Sequence, residues 1–234
     1  MSDSNPELIA TYRAVRKDPE AVIRHLRRLS FSMECFYRVR SSRPRSPFSR
    51  AARFIYLNRM CWNGLYRVNR NGDFNVPMGK FEYSPNFEAL SERIRIAARP
   101  LRRAQLQCLD FENACALAEP GDTVYLDPPY SVSHEGNGFL RYNERVFSWD
   151  DQKRLALLAA QLASKACRIV ISNANHPSII ALYPGFEKTV VCRRSLVAGV
   201  VTSRKGVTEL VISNFVCLHP AFVTAFNKAL QVRQ

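Results

Sequence analysis

An α/β fold with a mostly parallel sheet is what this sequence predicts, and three observations carry that expectation. Compact apolar runs, TVYLD (123–127) and RIVIS (168–172), alternate with segments bearing helix-start signals. Two further β-rich segments, 186–193 and 207–216, close the chain. No repeat or long low-complexity tract interrupts the pattern. In parallel α/β sheets ligands sit at the carboxyl ends of the strands, so those ends are where chemistry is sought.

The elements follow in order. Asn5-Pro6-Glu7 places a capping side chain before a proline at the first helical position, and Asp18-Pro19 repeats the device. The stretch 41–50, SSRPRSPFSR, reads as a Pro/Ser-broken loop, and 49–60 as a helix capped by Ser49. Asn63-Gly64 and Asn71-Gly72 flank short β-prone runs, which is a hairpin signal. Residues 37–84 thus read as an irregular, hairpin-bearing insertion. Beyond it, Asn86 caps a helix to about Arg99, a short strand is expected near 104–108, and a helix from about 111. Ser148 with acids in the next turn opens a helix to about Ser164.

The 234 residues carry 34 Lys+Arg against 20 Asp+Glu, a formal net charge of +14. Nine of the arginines fall between Arg38 and Arg70, a stretch without a single acid, which suits phosphates. No apolar run approaches the roughly 20 residues of a membrane span. The seven cysteines are scattered without a CxxC, and the four histidines are equally dispersed, so buried thiols in a reducing cytoplasm and no metal are expected.

The chemistry concentrates in Asp127-Pro128-Pro129-Tyr130, directly after TVYL. Proline fixes φ and removes a backbone donor, so carbonyls here face outward without competing N–H groups. Asp127 and the Pro128 carbonyl can accept both protons of a planar amino group, while Tyr130 offers a face for a flat base. Such a grip favours a tetrahedral, nucleophilic nitrogen, which suits methyl transfer to an exocyclic amine. A capped, proline-rich turn is the bland alternative.

Seven blocks, in order, resemble the Dam-type DNA adenine-N6 methyltransferases over nearly the whole chain. They are SDSNPELIATYR (2–13), RFIYLNRMCWNGLYRVNRNGDFNVPMGKF (53–81), DFENA (110–114), GDTVYLDPPY (121–130), FSWDDQKRLA (147–156), IVISN (169–173) and RRSLVAGVVTSRKGVTELVISN (193–214). The resemblance implies a Rossmann-like methyltransferase sheet over 1–36 and 85–234, with 37–84 as a DNA target-recognition insertion. It implies a cytoplasmic enzyme, bacterial or phage-encoded, that uses S-adenosyl-L-methionine to methylate adenine in double-stranded DNA, with GATC the leading target. Asp127, Pro128, Pro129 and Tyr130 would hold the flipped adenine. Asp3, Asp110, Phe111 and Asp127 would meet the cofactor. Trp62, Asn63, Leu65, Arg67, Asn69, Pro77 and Lys80 would contact DNA, with Trp62 beside the flipped base and Arg67 on a guanine. Trp62 and Leu65 packed under the hairpin, and Asp110 as a helix cap, are the alternatives. The glycine-bearing segment 131–147 reads as a loop closing over the base, docked by Phe139 and Tyr142, with His134 exposed.

The chain departs from the family in two places. Lys80-Phe81 stands where an Arg-Tyr pair is frequent, and no Phe-x-Gly-x-Gly turn follows a first strand. The resemblance therefore predicts a sheet lacking its first strand and a weakened cradle for the methionine end of the cofactor. A truncated frame, a second chain supplying the missing segment, or a relic that only binds DNA would each account for it. An RNA- or protein-amide methyltransferase is a further alternative, disfavoured by the Asp of DPPY.

Overall fold

The computed structural model describes residues 1–69, 71–81, 86–132, 147–194 and 206–216. The loop-closure reading of Phe139, Tyr142 and His134 lies outside these residues. The chain divides into two compact units, Met1–Ala114 and Cys115–Gln234.

The first unit is helical. Helix α1 (Pro6–Lys17) starts where Asn5 accepts from the Glu7 and Leu8 amides, and α2 (Pro19–Leu26) where Asp18 accepts from Ala21. Helix α3 (Met33–Ser41) is capped by Ser32, and α4 (Pro47–Met60) by Ser46. The cap of α4 therefore lies at Ser46 and not at the expected Ser49. Pro47 takes the first helical position, which sets the cap one residue ahead of it. Helix α3 goes unannounced in the sequence, because two basic residues among only nine positions obscure its apolar stripe of Cys35, Phe36 and Val39. Those side chains join Ile9, Val22, Ile23, Tyr56 and Leu57 in one buried core. Helix α5 (Phe87–Leu101) begins at its Asn86 cap and packs on α1 and α2.

The expected strand near 104–108 is reduced to a single parallel bridge between Ser2 and Gln107. The Asp3 amide donates to the Gln107 carbonyl at 3.3 Å, so the chain's first residues supply the only ladder partner there among the described residues. A short helix, α6 (Phe111–Cys115), follows.

The second unit holds a four-strand sheet of β1 (Thr123–Leu126), β2 (Arg168–Ala174), β3 (Glu187–Arg194) and β4 (Gly206–Ser213), ordered β1-β2-β4-β3. Among the described residues of this sheet only β1 and β2 pair in parallel. The β2–β4 and β3–β4 ladders are antiparallel, which corrects the expectation of a mostly parallel sheet. Only residues 195–205 separate β3 from β4, and a parallel return needs a crossover of a dozen residues or more, whereas an antiparallel one does not. Helix α7 (Trp149–Ser164) packs on β2, and α8 (Pro177–Leu182), absent from the sequence expectation, follows β2. Five consecutive residues of β2, Ile169 to Asn173, are buried, as in a strand covered on both faces. Strand β1 is an edge of this described sheet.

Candidate active site and DNA-facing hairpin

Asp127 stands one residue beyond β1, and the sheet register decides its neighbour. Leu126 pairs with Ile171, so the next step along both parallel strands sets Asp127 beside Ser172. The Ser172 hydroxyl donates to Asp127 Oδ1 at 2.5 Å and lies 3.1 Å from the Tyr125 hydroxyl. Ser172 is fully buried, whereas Asp127 is exposed. A buried hydroxyl thus holds one carboxylate oxygen while the residue faces solvent.

Tyr130 is half-buried close to Ser172, Asp127 and Glu209 of β4. Burial pushes its phenol pKa well above the usual 10.0, and the charges of Glu209 and Asp127 push it further. The ring therefore stays a neutral phenol at any ordinary working pH. Pro128 and Pro129 are also half-buried, so the DPPY segment forms a partly covered shelf at the carboxyl end of β1.

Behind that shelf lies a hydrogen-bonded layer that the sequence motifs do not mark. Gln152 of α7 donates toward the Ser131 hydroxyl at 3.2 Å and toward the Pro129 and Ser131 carbonyls at 3.4 Å. Its own carbonyl accepts from Asn173 Nδ2 at 3.0 Å. The one available signal is polar: Ser172 and Asn173 end an otherwise apolar strand, where a polar residue needs a reason to be inside.

In the first unit the segments carrying Asp3 and Asp110 lie together. Ser2 Oγ donates to the Leu109 carbonyl at 3.2 Å, beside Asp110. Asp3 accepts from the Asn5 amide at 2.7 Å, and Asp110 from the Glu112 amide at 3.0 Å. Both acids, and Phe111, are half-buried. Each acid thus shapes a local turn and stands at the surface of the same strip.

The hairpin forms around the second Asn-Gly pair. Val68 bridges Phe74, the Asn69 amide donates to Asp73 O at 2.8 Å, and Gly72 sits at φ +78°, which glycine adopts without strain. Asn63-Gly64 instead makes a one-turn 3₁₀ bend, Trp62–Gly64, with both residues at positive φ. The two ends of the segment are stitched by Trp62 N–H to Pro77 O at 3.0 Å and Gly79 N–H to Met60 O at 2.9 Å.

Of the residues matched to DNA contacts, Trp62 (48% exposed), Asn63, Arg67, Asn69, Pro77 and Lys80 are at least partly exposed. Leu65 is half-buried against the helical core. Asn69 spends its side-chain carbonyl on the Asn71 and Asp73 amides at 2.9 Å each, so it builds the turn. Arg67 donates through Nε to Asn75 Oδ1 at 2.8 Å and through Nη2 to the Asn75 carbonyl at 3.3 Å. Asn75 therefore aims the guanidinium, a role with no counterpart in the sequence expectation.

Beside the hairpin, a recess of about 410 Å³ is lined by Arg43, Arg45, Arg50 and Arg53 with the rings of Phe54 and Tyr66. Arg43 pairs with Asp73 and Arg50 with Glu7. Arg53 donates to the Val39 and Arg40 carbonyls at the end of α3; burial, and then Arg43 close by, lower its pKa. The arginine-rich stretch thus makes a concave positive surface as well as an outward face.

A mixed α/β sheet whose strand tip presents an anchored, exposed acid beside two prolines and a half-buried ring places this protein in the α/β class, with its candidate site at the carboxyl end of β1. Comparison with known proteins narrows the class. The profile described as "D12 class N6 adenine-specific DNA methyltransferase" matches residues 1–194, and the chain belongs to that family. It is similar to Type II methyltransferase M.MjaIII of Methanocaldococcus jannaschii, 31% identical over 231 residues, spanning 92% of this chain and 79% of that protein. Type II methyltransferase M1.LlaDCHI of Lactococcus lactis subsp. cremoris is 33% identical over 225 residues, with 92% and 78% covered. The DNA adenine methylase of Escherichia coli K12 is 30% identical over 218 residues, with 90% and 77% covered. No described helix is long and apolar enough to cross a membrane.

Proposed function

We propose that this protein methylates the N6 amino group of adenine in double-stranded DNA, within GATC, using S-adenosyl-L-methionine on a base turned out of the helix. The observation that carries the reading is Asp127, exposed at the tip of β1 with one carboxylate oxygen anchored by buried Ser172. One amino N–H donates to Asp127 and the other to the Pro128 carbonyl. Drawing both protons out of the ring plane localises the nitrogen lone pair, and Tyr130 supports the base by its face. S-adenosyl-L-methionine, when bound, supplies an electrophilic methyl. The donor chemistry fits its adenosine half: Asp3 and Asp110 would take hydroxyl and amino groups, with the Phe111 ring beside the adenine.

The 37–84 segment is the target-recognition part in this reading. Arg67, aimed by Asn75, meets guanine, while Trp62 fills the gap beside the extruded base, and Asn63, Pro77 and Lys80 lie along the duplex. Leu65 keeps only its outer atoms for a thymine methyl. The arginine recess suits backbone phosphates. The setting is the cytoplasm, on DNA.

The test is methyl incorporation from labelled cofactor into a GATC duplex and a scrambled one. Incorporation into GATC is expected, and Asp127→Asn should lower the rate at least about a hundredfold while duplex affinity holds. Full activity in Asp127→Asn, or equal methylation of both duplexes, would overturn the reading. Methylation by this chain assayed by itself would show that no second chain is required.

A further inference from the structure

We infer that Gln152 is the positioning residue for the DPPY segment, setting the backbone of 128–131 so that its carbonyls divide between the interior and the amino group to be gripped. The inference rests on the transferase reading above and adds to it the part that holds the acceptor pair rigid.

Gln152 sits in the first turn of α7, whose start is itself pinned. Ser148 accepts from the Asp151 amide at 3.1 Å, and Asp151 accepts from the Ser148 amide at 2.8 Å, a reciprocal capping box. The Gln152 side chain is completely buried, as are Ser131 and Asn173. Its amide has two protons and finds three acceptors on the far side of the shelf, at 3.2 to 3.4 Å. A glutamine amide can turn over, and the Asn173 amide decides which way it points by donating to the Gln152 oxygen at 3.0 Å. Asn173 in turn uses its own oxygen on the Ala174 amide at 2.8 Å, so β2 fixes the whole chain of bonds.

The effect on Pro128 is geometric. Asp127 and Pro128 each precede a proline, which keeps both extended, and both prolines have φ locked. In such backbone successive carbonyls point in different directions. Drawing the Pro129 carbonyl toward Gln152 therefore turns the Pro128 carbonyl away from it. Prolines offer no amide N–H to fasten this stretch, so a side-chain donor from a neighbouring element does what a ladder would do elsewhere. Asp127 is held independently, by Ser172. Two buried residues at successive positions on β2, Ser172 and Asn173, thereby govern the carboxylate and the carbonyl respectively.

The experiment compares Gln152→Met, which keeps length and loses the bonds, with Asn173→Ala, which keeps Gln152 but frees its orientation. Ser131→Ala, which removes one of three acceptors, is the control. Hydrogen exchange should show protection of the Tyr130–Val132 amides falling about tenfold in both variants, with exchange elsewhere unchanged. The single-turnover rate should fall roughly a hundredfold while duplex and cofactor affinities hold. The double variant should be no worse than Gln152→Met, and Ser131→Ala, which keeps both carbonyl acceptors, should lose clearly less protection and rate than either single variant. Unchanged protection and rate, or a loss spread evenly over the unit, would overturn the inference. Absence of methylation by the unaltered chain would defeat the transferase reading, and the exchange measurement would still decide whether Gln152 holds the segment. If Gln152→Met does not fold, the difference in exchange between Asn173→Ala and Ser131→Ala decides the matter in its place.

Discussion

Two residues make the proposed chemistry selective, and each is governed by a partner. Ser172 spends its only proton on Asp127 and lies within hydrogen-bonding distance of the Tyr125 hydroxyl. Ser172→Ala releases the carboxylate rotor, so methyl transfer should slow by about tenfold with duplex affinity retained, as single-turnover kinetics would show. Arg67 is the corresponding residue in the hairpin, held by two bonds to Asn75. Arg67→Ala should cost about 1–3 kcal/mol of discrimination between GATC and scrambled duplex in competition binding. An unaltered ratio would remove Arg67 from base reading. Asn69 is committed to the turn and Leu65 to the core, so their substitution should act through hairpin stability.

Helix α7 shows how an element's start bears on the site four residues later. Burial raises the Asp151 pKa, but hydrogen bonds from Ser148 and the Arg154 guanidinium outweigh it, so the carboxyl sits below its usual 3.8. A depressed carboxyl pKa stabilises the fold above the unfolded value, and that stability is lost as pH falls through the folded one. Ser148→Ala should therefore cost about 1 kcal/mol at neutral pH and blunt the loss of stability below about pH 4, read from thermal melts. Element starts are legible in the sequence because caps act over three or four residues. Asn5, Asp18, Asn86 and Ser148 all stand where the local signal puts them. The cap of α4 falls at Ser46 and not Ser49 for an equally local reason, the proline after it. Strand direction is not legible, since β2 and β4 read alike whichever way they run.

Among the described residues, Tyr56 in the first unit and Tyr130 and Tyr183 in the second shape the response to alkali. Burial raises each phenol well above 10.0, with Cys35 adding to the effect on Tyr56, and Glu209 and Asp127 to that on Tyr130. A raised phenol pKa means the unfolded chain sheds protons first. The contribution is then complete below about pH 10 and is lost as pH rises through the folded values. Melting temperature should hold from about pH 7 to 9 and drop steeply above about pH 10, less steeply in Tyr56→Phe. A flat profile to about pH 11 would contradict the burial of these hydroxyls.

Sequence alone determined the composition of the shelf, the starts of α1, α2, α5 and α7 and the place of one hairpin, because prolines, caps and Asn-Gly pairs act on their own few residues. Only the tertiary structure decided what holds those parts. Ser172 reaches Asp127 across 45 residues through the parallel register of β1 and β2, and Gln152 reaches Pro129 across 23 from another helix. The partners of a buried polar group are chosen by which strands lie side by side and in what register, and no window of neighbouring residues contains that information.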